Sequence, residues 1–498
     1  MNSETSDNGK ENRFKFFLRN VNEAVSGTEQ DFTEGKLSRA ILLLSIPAVL
    51  EMVMESIFVI VDIYFVSKLG ANAVATVGIT ESMITIIYAI AIGLGTATTS
   101  MVSRRIGEKN HDAASVAAFQ AILTGMIVSI CIGLPGAFFA KRLLGFMGAS
   151  KPIIDSMSGY TTIMLGGNMV IMMLFIINAI FRSAGDAAVA MKVLWIGNII
   201  NIILDPCLIF GLGPFPHLGV TGAAVATNIG RGTAVIIQFY LLFNGKKRIK
   251  LMTKHLKVNF RIMTKLLKLS FGSIGQNLIG TSSWIVLVRI ISLFGSEVVA
   301  GYTIAMRIIG FTLLPSWGIS NAASTLVGQN LGAKKPERVK KGYHATLIMG
   351  AVVSLMTTAA VLLFGRPMIS IFSHDANVIK MGASYLMIVG SFYILFSTMF
   401  ITTGVLRGAG DTFIPMLFTL CSLWLIRVPL SAVLSKTHGT DGIWWSIPVA
   451  WGVGLLLAQT YYFTGRWKKK VSIKVCLEPV AVAAMSEEQD SEWNCSGF

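Results

Sequence analysis

Arg182-Ser-Ala-Gly-Asp186 and Arg407-Gly-Ala-Gly-Asp411 are nearly the same five-residue phrase written twice, 225 positions apart. The same interval carries Gly70 onto Gly295 and Gly107 onto Gly332, so the register holds across most of a half-chain. Each phrase follows a long apolar run. Its glycine permits a sharp reversal and its aspartate can cap the next helix, so the phrase reads as a hairpin between two helices. Capping is the expected role of Asp186 and Asp411, ahead of proton carriage. The chain is read as a tandem duplication, and the fold follows from what lies between the phrases.

Hydrophobic residues make up 53% of the 498, charged residues only 14%, and the mean hydropathy is +0.66. Such a composition excludes a soluble domain of this length. Apolar runs of about 20 residues, enough to cross roughly 30 Å of hydrocarbon, fall near 40–66, 73–100, 117–138, 156–182, 188–211, 218–243, 263–292, 298–328, 342–364, 380–405, 413–434 and 441–465. Continuous runs specify helices, because a membrane β-barrel would alternate over segments of about ten residues. The expected fold is an all-α polytopic membrane protein with twelve transmembrane helices.

Six spans per repeat give both copies the same orientation. Two six-helix bundles are then related by a pseudo-two-fold axis along the membrane normal, with a cleft between them that can open to alternate sides. The expected divisions are an N-terminal tail (1–35), an N-lobe (36–243), a basic linker (244–262), a C-lobe (263–466) and a C-terminal tail (467–498). The tail at 1–35 is polar, carries no apolar signal core, and is expected to be loose.

Of the 42 lysines and arginines, 31 fall in the tails and the even-to-odd loops, seven in the opposite loops and four within spans. That bias places both termini in the cytoplasm, in a plasma membrane, the inner one if the cell is Gram-negative. The run from Lys246 to Lys268 suits anionic lipid head groups, and no aromatic-rich basic module accompanies the net charge of +16, so nucleic acid is not an expected partner. The five cysteines show no paired spacing, and the six histidines no metal spacing. No His-Glu-x-x-His, Gly-x-Ser-x-Gly or P-loop pattern is present, so neither an enzyme nor an ATP-driven pump is expected, and no cofactor.

Function is sought where matched halves differ in chemistry. Span 1 carries Glu51, Glu55 and Asp62, whose separations put all three within about 40° of one helix face. Span 5 carries Asn198, Asn201 and Asp205 on one stripe, and span 6 adds Thr227. At the 225 interval Asp62 maps to Leu287, Asp205 to Leu430 and Glu51 to Gln276, so the second lobe lacks the acids. A carboxylate at bilayer depth costs at least about 2.5 kcal/mol and normally marks an ion path. Asp62, Asp205 and Thr227 fall in one layer of the outer half of the membrane. Two neighbouring carboxylates there hold a proton or a cation between them and titrate as a pair. Carboxylate, amide and hydroxyl oxygens equally suit Na⁺, so the coupling ion is H⁺ or Na⁺.

Asp62, Asn201, Asp205 and Thr227 are the candidate cation-coupling residues and the candidate Na⁺ ligands. Glu51, Glu55, Tyr160, Asn178 and Asn198 are candidates for the substrate cavity, although Asn178 could serve as interhelical glue and Tyr160 as part of the interfacial aromatic belt. Pro47 removes a backbone hydrogen bond inside span 1 and is the candidate hinge. Arg427, before Pro429, is expected to be structural.

Ile46-Pro47-Ala48 with Val61-Asp62-Ile63-Tyr64-Phe65-Val66, Arg182 to Asp186, Asn198-Ile-Ile-Asn201-Ile-Ile-Leu-Asp205-Pro206, Leu218 to Thr227, Arg407 to Thr412 and Asp441-Gly-Ile-Trp444 together resemble the multidrug and toxic compound extrusion (MATE) family over roughly residues 36–466. The resemblance implies a V-shaped pair of bundles exporting amphipathic, often cationic compounds against an inward flow of H⁺ or Na⁺. It puts the cation site on Asp62, Asn201, Asp205 and Thr227, with Tyr160 and Asn178 at the cavity. Gln276 in span 7 and the absence of an acid in span 10 are similar to the DinF type, which implies coupling through the first lobe alone. The partners implied are small-molecule drugs or toxic metabolites and the surrounding lipids, for a protein acting as a monomer. The alternative is a lipid-linked oligosaccharide flippase of the wider superfamily, which would show a cation-lined cavity and often two further spans.

Overall fold

The computed structural model describes residues 13–27, 30–244 and 248–470. Much of the expected C-terminal tail, with Cys476 and Cys495, lies outside those residues, as do Lys246 and Lys247 of the basic run. The described chain is helical throughout its spans. Ten helices are long and apolar enough to cross a membrane, and an eleventh results if Ala376–Ser391 and Tyr393–Gly408, bent by 53°, form one span. One of the ten, Phe413–Thr464, has 52 residues; at 1.5 Å per residue it would reach about 78 Å, far beyond one crossing. It holds two spans, because Gly439 inside it is non-helical at φ 60°, ψ −139°. The total is the twelve expected.

In order, span 1 is Leu37–Ser67, span 2 Ala71–Gly107, span 3 His111–Phe138, span 4 Ser158–Ala184, span 5 Ala187–Phe210 and span 6 Val220–Phe243. Span 7 starts at Phe260, span 8 is Ser296–Gly332, span 9 Pro336–Ser370 and span 10 the bent pair. Spans 11 and 12 lie on either side of Gly439. Span 1 runs as one helix across Pro47. In span 11 a π-helical stretch, Cys421–Arg427, comes just ahead of Pro429, whose missing N–H already interrupts the α-helical ladder.

The duplication is written into the backbone. Gly70 and Gly295 have φ of 97° and 104°, Gly185 and Gly410 of 96° and 89°, and Lys109 and Lys334 of 57° and 56°. Each pair is 225 apart, and only special turn positions hold such angles. After span 5 the interval shortens: Gly219 takes φ 57°, ψ −139°, and its counterpart is Gly439, 220 residues on. The loop Gly211–Leu218 is the longer by those five residues.

The lobes meet where helices approach closely at glycines. A Cβ on Gly107 would lie 1.9 Å from the Gln329 carbonyl oxygen, and one on Gly332 would lie 2.1 Å from that of Arg104. Since 104 and 329 are themselves 225 apart, spans 2 and 8 cross on the pseudo-two-fold axis. Gly93 against Ile274 and Gly318 against Val49 repeat the relation between spans 2 and 7 and between spans 8 and 1. All these contacts sit toward the end of the bundle that carries the two Arg-x-Ala-Gly-Asp turns.

That end is also strapped. Arg13–Ser26 forms a helix, and backbone carbonyls at its end and in the segment after it accept hydrogen bonds from both lobes. Lys192 of the first lobe bonds Ser26 O at 2.7 Å; in the second lobe Lys335 reaches Thr33 O at 3.1 Å and Arg338 reaches Glu34 O at 2.6 Å. Phe32 is buried. The expected loose tail is thus docked at Ser26 and from Phe32 to Glu34, because lysines and arginines near the helix ends find carbonyls in it.

Candidate functional site

Asp186 caps span 5 by accepting the Val189 N–H at 3.4 Å, and so fixes where that helix begins. Three and a half turns on from its first residues, the stripe Asn198, Asn201, Asp205 lies fully buried against spans 1 and 6. Asn201 donates to Thr227 Oγ1 at 3.2 Å and, at 3.5 Å, to Asp205 Oδ1. Asp62, half-buried on span 1, is near enough to Asp205 to interact with it directly. Tyr160 is buried, within reach of the charge of both aspartates, and so lies inside the lobe instead of in an interfacial belt.

The donors in this cluster are fewer than the acceptors. Asp62 Oδ1, Asn201 Oδ1 and Asp205 Oδ2 are all buried without a hydrogen-bond partner. Buried polar oxygens are otherwise nearly always satisfied, and three on one cluster define a place for something positive. The set of carboxylate, amide and hydroxyl oxygens fits a hard cation or a proton shared between the carboxyls.

A second network lies closer to the strapped end. Arg182 grips Glu51 with bonds of 2.9 and 3.1 Å, and Asn178 donates to the same carboxylate at 2.8 Å. Gln238 then donates to Asn178 Oδ1 at 2.6 Å. Between the two networks Arg231 pairs with Glu55 and donates to the Tyr88 hydroxyl at 2.7 Å, while Asn198 donates to the other Glu55 oxygen at 3.1 Å. The acids of span 1 therefore have separate fates: Glu51 and Glu55 are each neutralised by an arginine, and Asp62 has none in contact. Asn178 and Asn198, expected at the cavity, hold these acids in place.

Sequence reasoning passed over three participants. Arg231 is one of the four basic residues within spans, and nothing local signals a partner 176 residues away. Tyr88 carries no pattern. Glu81 on span 2 is exposed yet acts electrostatically on Asp62; a lone acid eleven residues into a span was the available signal.

The second lobe has none of these acids at the matching positions and buries an arginine elsewhere. Arg427 is fully buried, donating to Ser283 Oγ at 2.8 Å and lying 4.0 Å over the Trp284 ring. Gln276 occupies the Glu51 position and bonds Thr419 at 3.0 Å.

The family described as MatE matches the chain twice, over residues 47–207 and 273–433, once per lobe. The "Probable multidrug resistance protein NorM" of Thermotoga maritima is 27% identical over 445 residues, covering 87% of this chain and 94% of its own. The "FAD transporter" of Shewanella oneidensis is 26% identical over 427 residues, covering 86% and 94%. Among solved structures, the outward-facing conformation of a multidrug resistance MATE family transporter superposes with a TM-score of 0.82 at 25% identity, over 88% of this chain and 98% of that one. Two family matches in register with two structural lobes, on a multi-pass helical membrane protein, leave one assignment: the chain belongs to the MATE family.

Proposed function

We propose that the protein is a secondary active multidrug efflux transporter that exports amphipathic organic compounds in exchange for H⁺ or Na⁺ by alternating access. The observation that carries this reading is the cluster of three unpartnered buried oxygens on Asp62, Asn201 and Asp205, in one lobe only. A cation arriving there satisfies them and lets spans 1, 5 and 6 draw together; its departure separates them again. A passenger bound between the lobes competes with that rearrangement, so the two occupancies exclude one another.

Pro47 is the point on span 1 where the helix yields, and the crossing of spans 2 and 8 at Gly107 and Gly332 is the fulcrum about which the lobes rock. The lysine and arginine bias supports reading the strapped end, where the lobes meet closely, as the cytoplasmic one, with the cleft opening on the other side. One relative is named for multidrug resistance and another for FAD, which supports a small organic molecule as the passenger. No step requires an enzyme's nucleophile or a cofactor.

The test is transport into everted vesicles. Asp62→Asn and Asp205→Asn each stop ion-driven uptake while leaving the amount of folded protein unchanged. Replacing sodium by choline at a constant pH gradient identifies the ion: uptake that persists means H⁺, and uptake that stops means Na⁺. Full uptake in both variants would refute coupling at this cluster.

A further inference from the structure

A small pocket lies between the lobes, and residues at repeat-related positions line it: Arg182 and Arg407, Thr96 and Asn321, Ile92 and Trp317. No carboxylate lines it. In the first lobe Glu51 takes up the charge of Arg182 through two hydrogen bonds. In the second the Glu51 position is Gln276, turned to Thr419, and the described ion pairs include none to Arg407. Arg407 is held by Ser320 Oγ at 3.3 Å and lies 5.3 Å over the Phe400 ring, neither of which carries charge. Beside it the Asn321 Nδ2 is buried with no acceptor.

We propose that this interlobe pocket contains a subsite for an anionic group of the transported compound, with Arg407 and Asn321 as its donors. The pocket offers a half-buried guanidinium and an unanswered amide N–H and no acceptor of its own charge. A cation withdrawn from water gains most from a planar anion that it can grip with two parallel bonds. Carboxylate, sulfonate and phosphate all have that geometry. Trp317 and Phe175 line the same space and offer rings against which a flat apolar body can stack once the lobes move apart. The passenger is therefore an anionic or zwitterionic aromatic amphiphile, in place of the cations that the family resemblance implies. Because the pocket sits on the pseudo-two-fold axis, both lobes contact such a passenger, and separating them releases it. An anionic lipid head group shares this chemistry.

This inference rests on the export reading, and the experiment separates the two. The full chain, reconstituted in phosphatidylcholine vesicles, is titrated with carboxyfluorescein as the anion and ethidium as the cation, following fluorescence anisotropy. Wild type binds carboxyfluorescein. Arg407→Gln weakens it by about tenfold or more, the size of one charge-assisted bidentate contact, and leaves ethidium unchanged or tighter. Gln276→Glu, which restores the pairing of the first lobe, has the same effect without removing the arginine, and a thermal melt confirms that both variants are folded. Carboxyfluorescein affinity unchanged in both folded variants, or no binding to wild type, overturns the anion subsite; ethidium export continuing in that case leaves the export reading standing. Phosphatidylglycerol that displaces the dye from wild type assigns the subsite to a lipid head group, and an unchanged affinity assigns it to a soluble passenger.

Discussion

In the first lobe Arg182 meets Glu51 and Arg231 meets Glu55; in the second, Arg407 and Arg427 meet serine hydroxyls and aromatic rings. The backbones hardly differ, since turn glycines 225 residues apart share φ within about 10°. The chemistry differs completely. One lobe has four acids along spans 1 and 5, two paired with arginines and two not, while the acids in the other lobe's described spans, Glu297, Glu337 and Asp441, are exposed near helix ends. Duplication supplies two equivalent frames, and a single difference, Glu51 in one and Gln276 in the other, leaves Arg182 paired and Arg407 without a carboxylate partner among the described residues. Buried charge is costly unless paired, and on the proposed reading a transported species completes the pairing where the protein leaves it open.

The largest effect expected from this contrast is at Asp205. Asp205→Asn lowers coupled transport by about 100-fold, equivalent to losing nearly 3 kcal/mol of cation binding, whereas Leu430→Asn at the matching place in the second lobe leaves it within about twofold; vesicle uptake measures both. Next come the Glu51 and Gln276 positions. Glu51→Ala strands Arg182 in a buried site and costs about 3–5 kcal/mol of stability, while Gln276→Ala removes one neutral hydrogen bond and costs about 1 kcal/mol, read from denaturation in detergent. Gly107→Leu and Gly332→Leu each destabilise by about 1–3 kcal/mol through overpacking, and by similar amounts, because both lie on the axis; a large inequality would break the symmetry claim. The smallest effect is at the strap. Lys192→Ala and Arg338→Ala each cost about 1 kcal/mol or less, seen as faster protease cleavage between residues 27 and 36.

Much of this was legible in the sequence. The interval between Arg182 and Arg407 predicted the two lobes, and the acids of spans 1 and 5 predicted a cluster that the fold does bring together. Helical periodicity reports which residues share a face, and burial cost reports which of them need a reason. Neither reports a partner on a distant span. Glu55 therefore read as a cavity acid with no sign of its partner Arg231, and Asn178 read as a candidate for interhelical glue with no sign that Glu51 and Gln238 are the groups it joins. Glu81 was missed because a single exposed acid has no pattern. The five-residue slip in the interval after span 5 arises in a loop, where insertions cost little, and the docked segment around Phe32 looked loose because its contacts are made by backbone carbonyls, which composition does not reveal.

The central claim is that one lobe alone carries the ion. Its most direct test is to count cations released per passenger exported, in sealed proteoliposomes, for wild type, for Asp205→Asn and for a variant with Arg407 replaced by Gln. Wild type and the Arg407 variant should move a fixed number of ions with each passenger that crosses, and Asp205→Asn should move none. Undiminished ion flux in Asp205→Asn, or its loss in the Arg407 variant alone, would contradict the account.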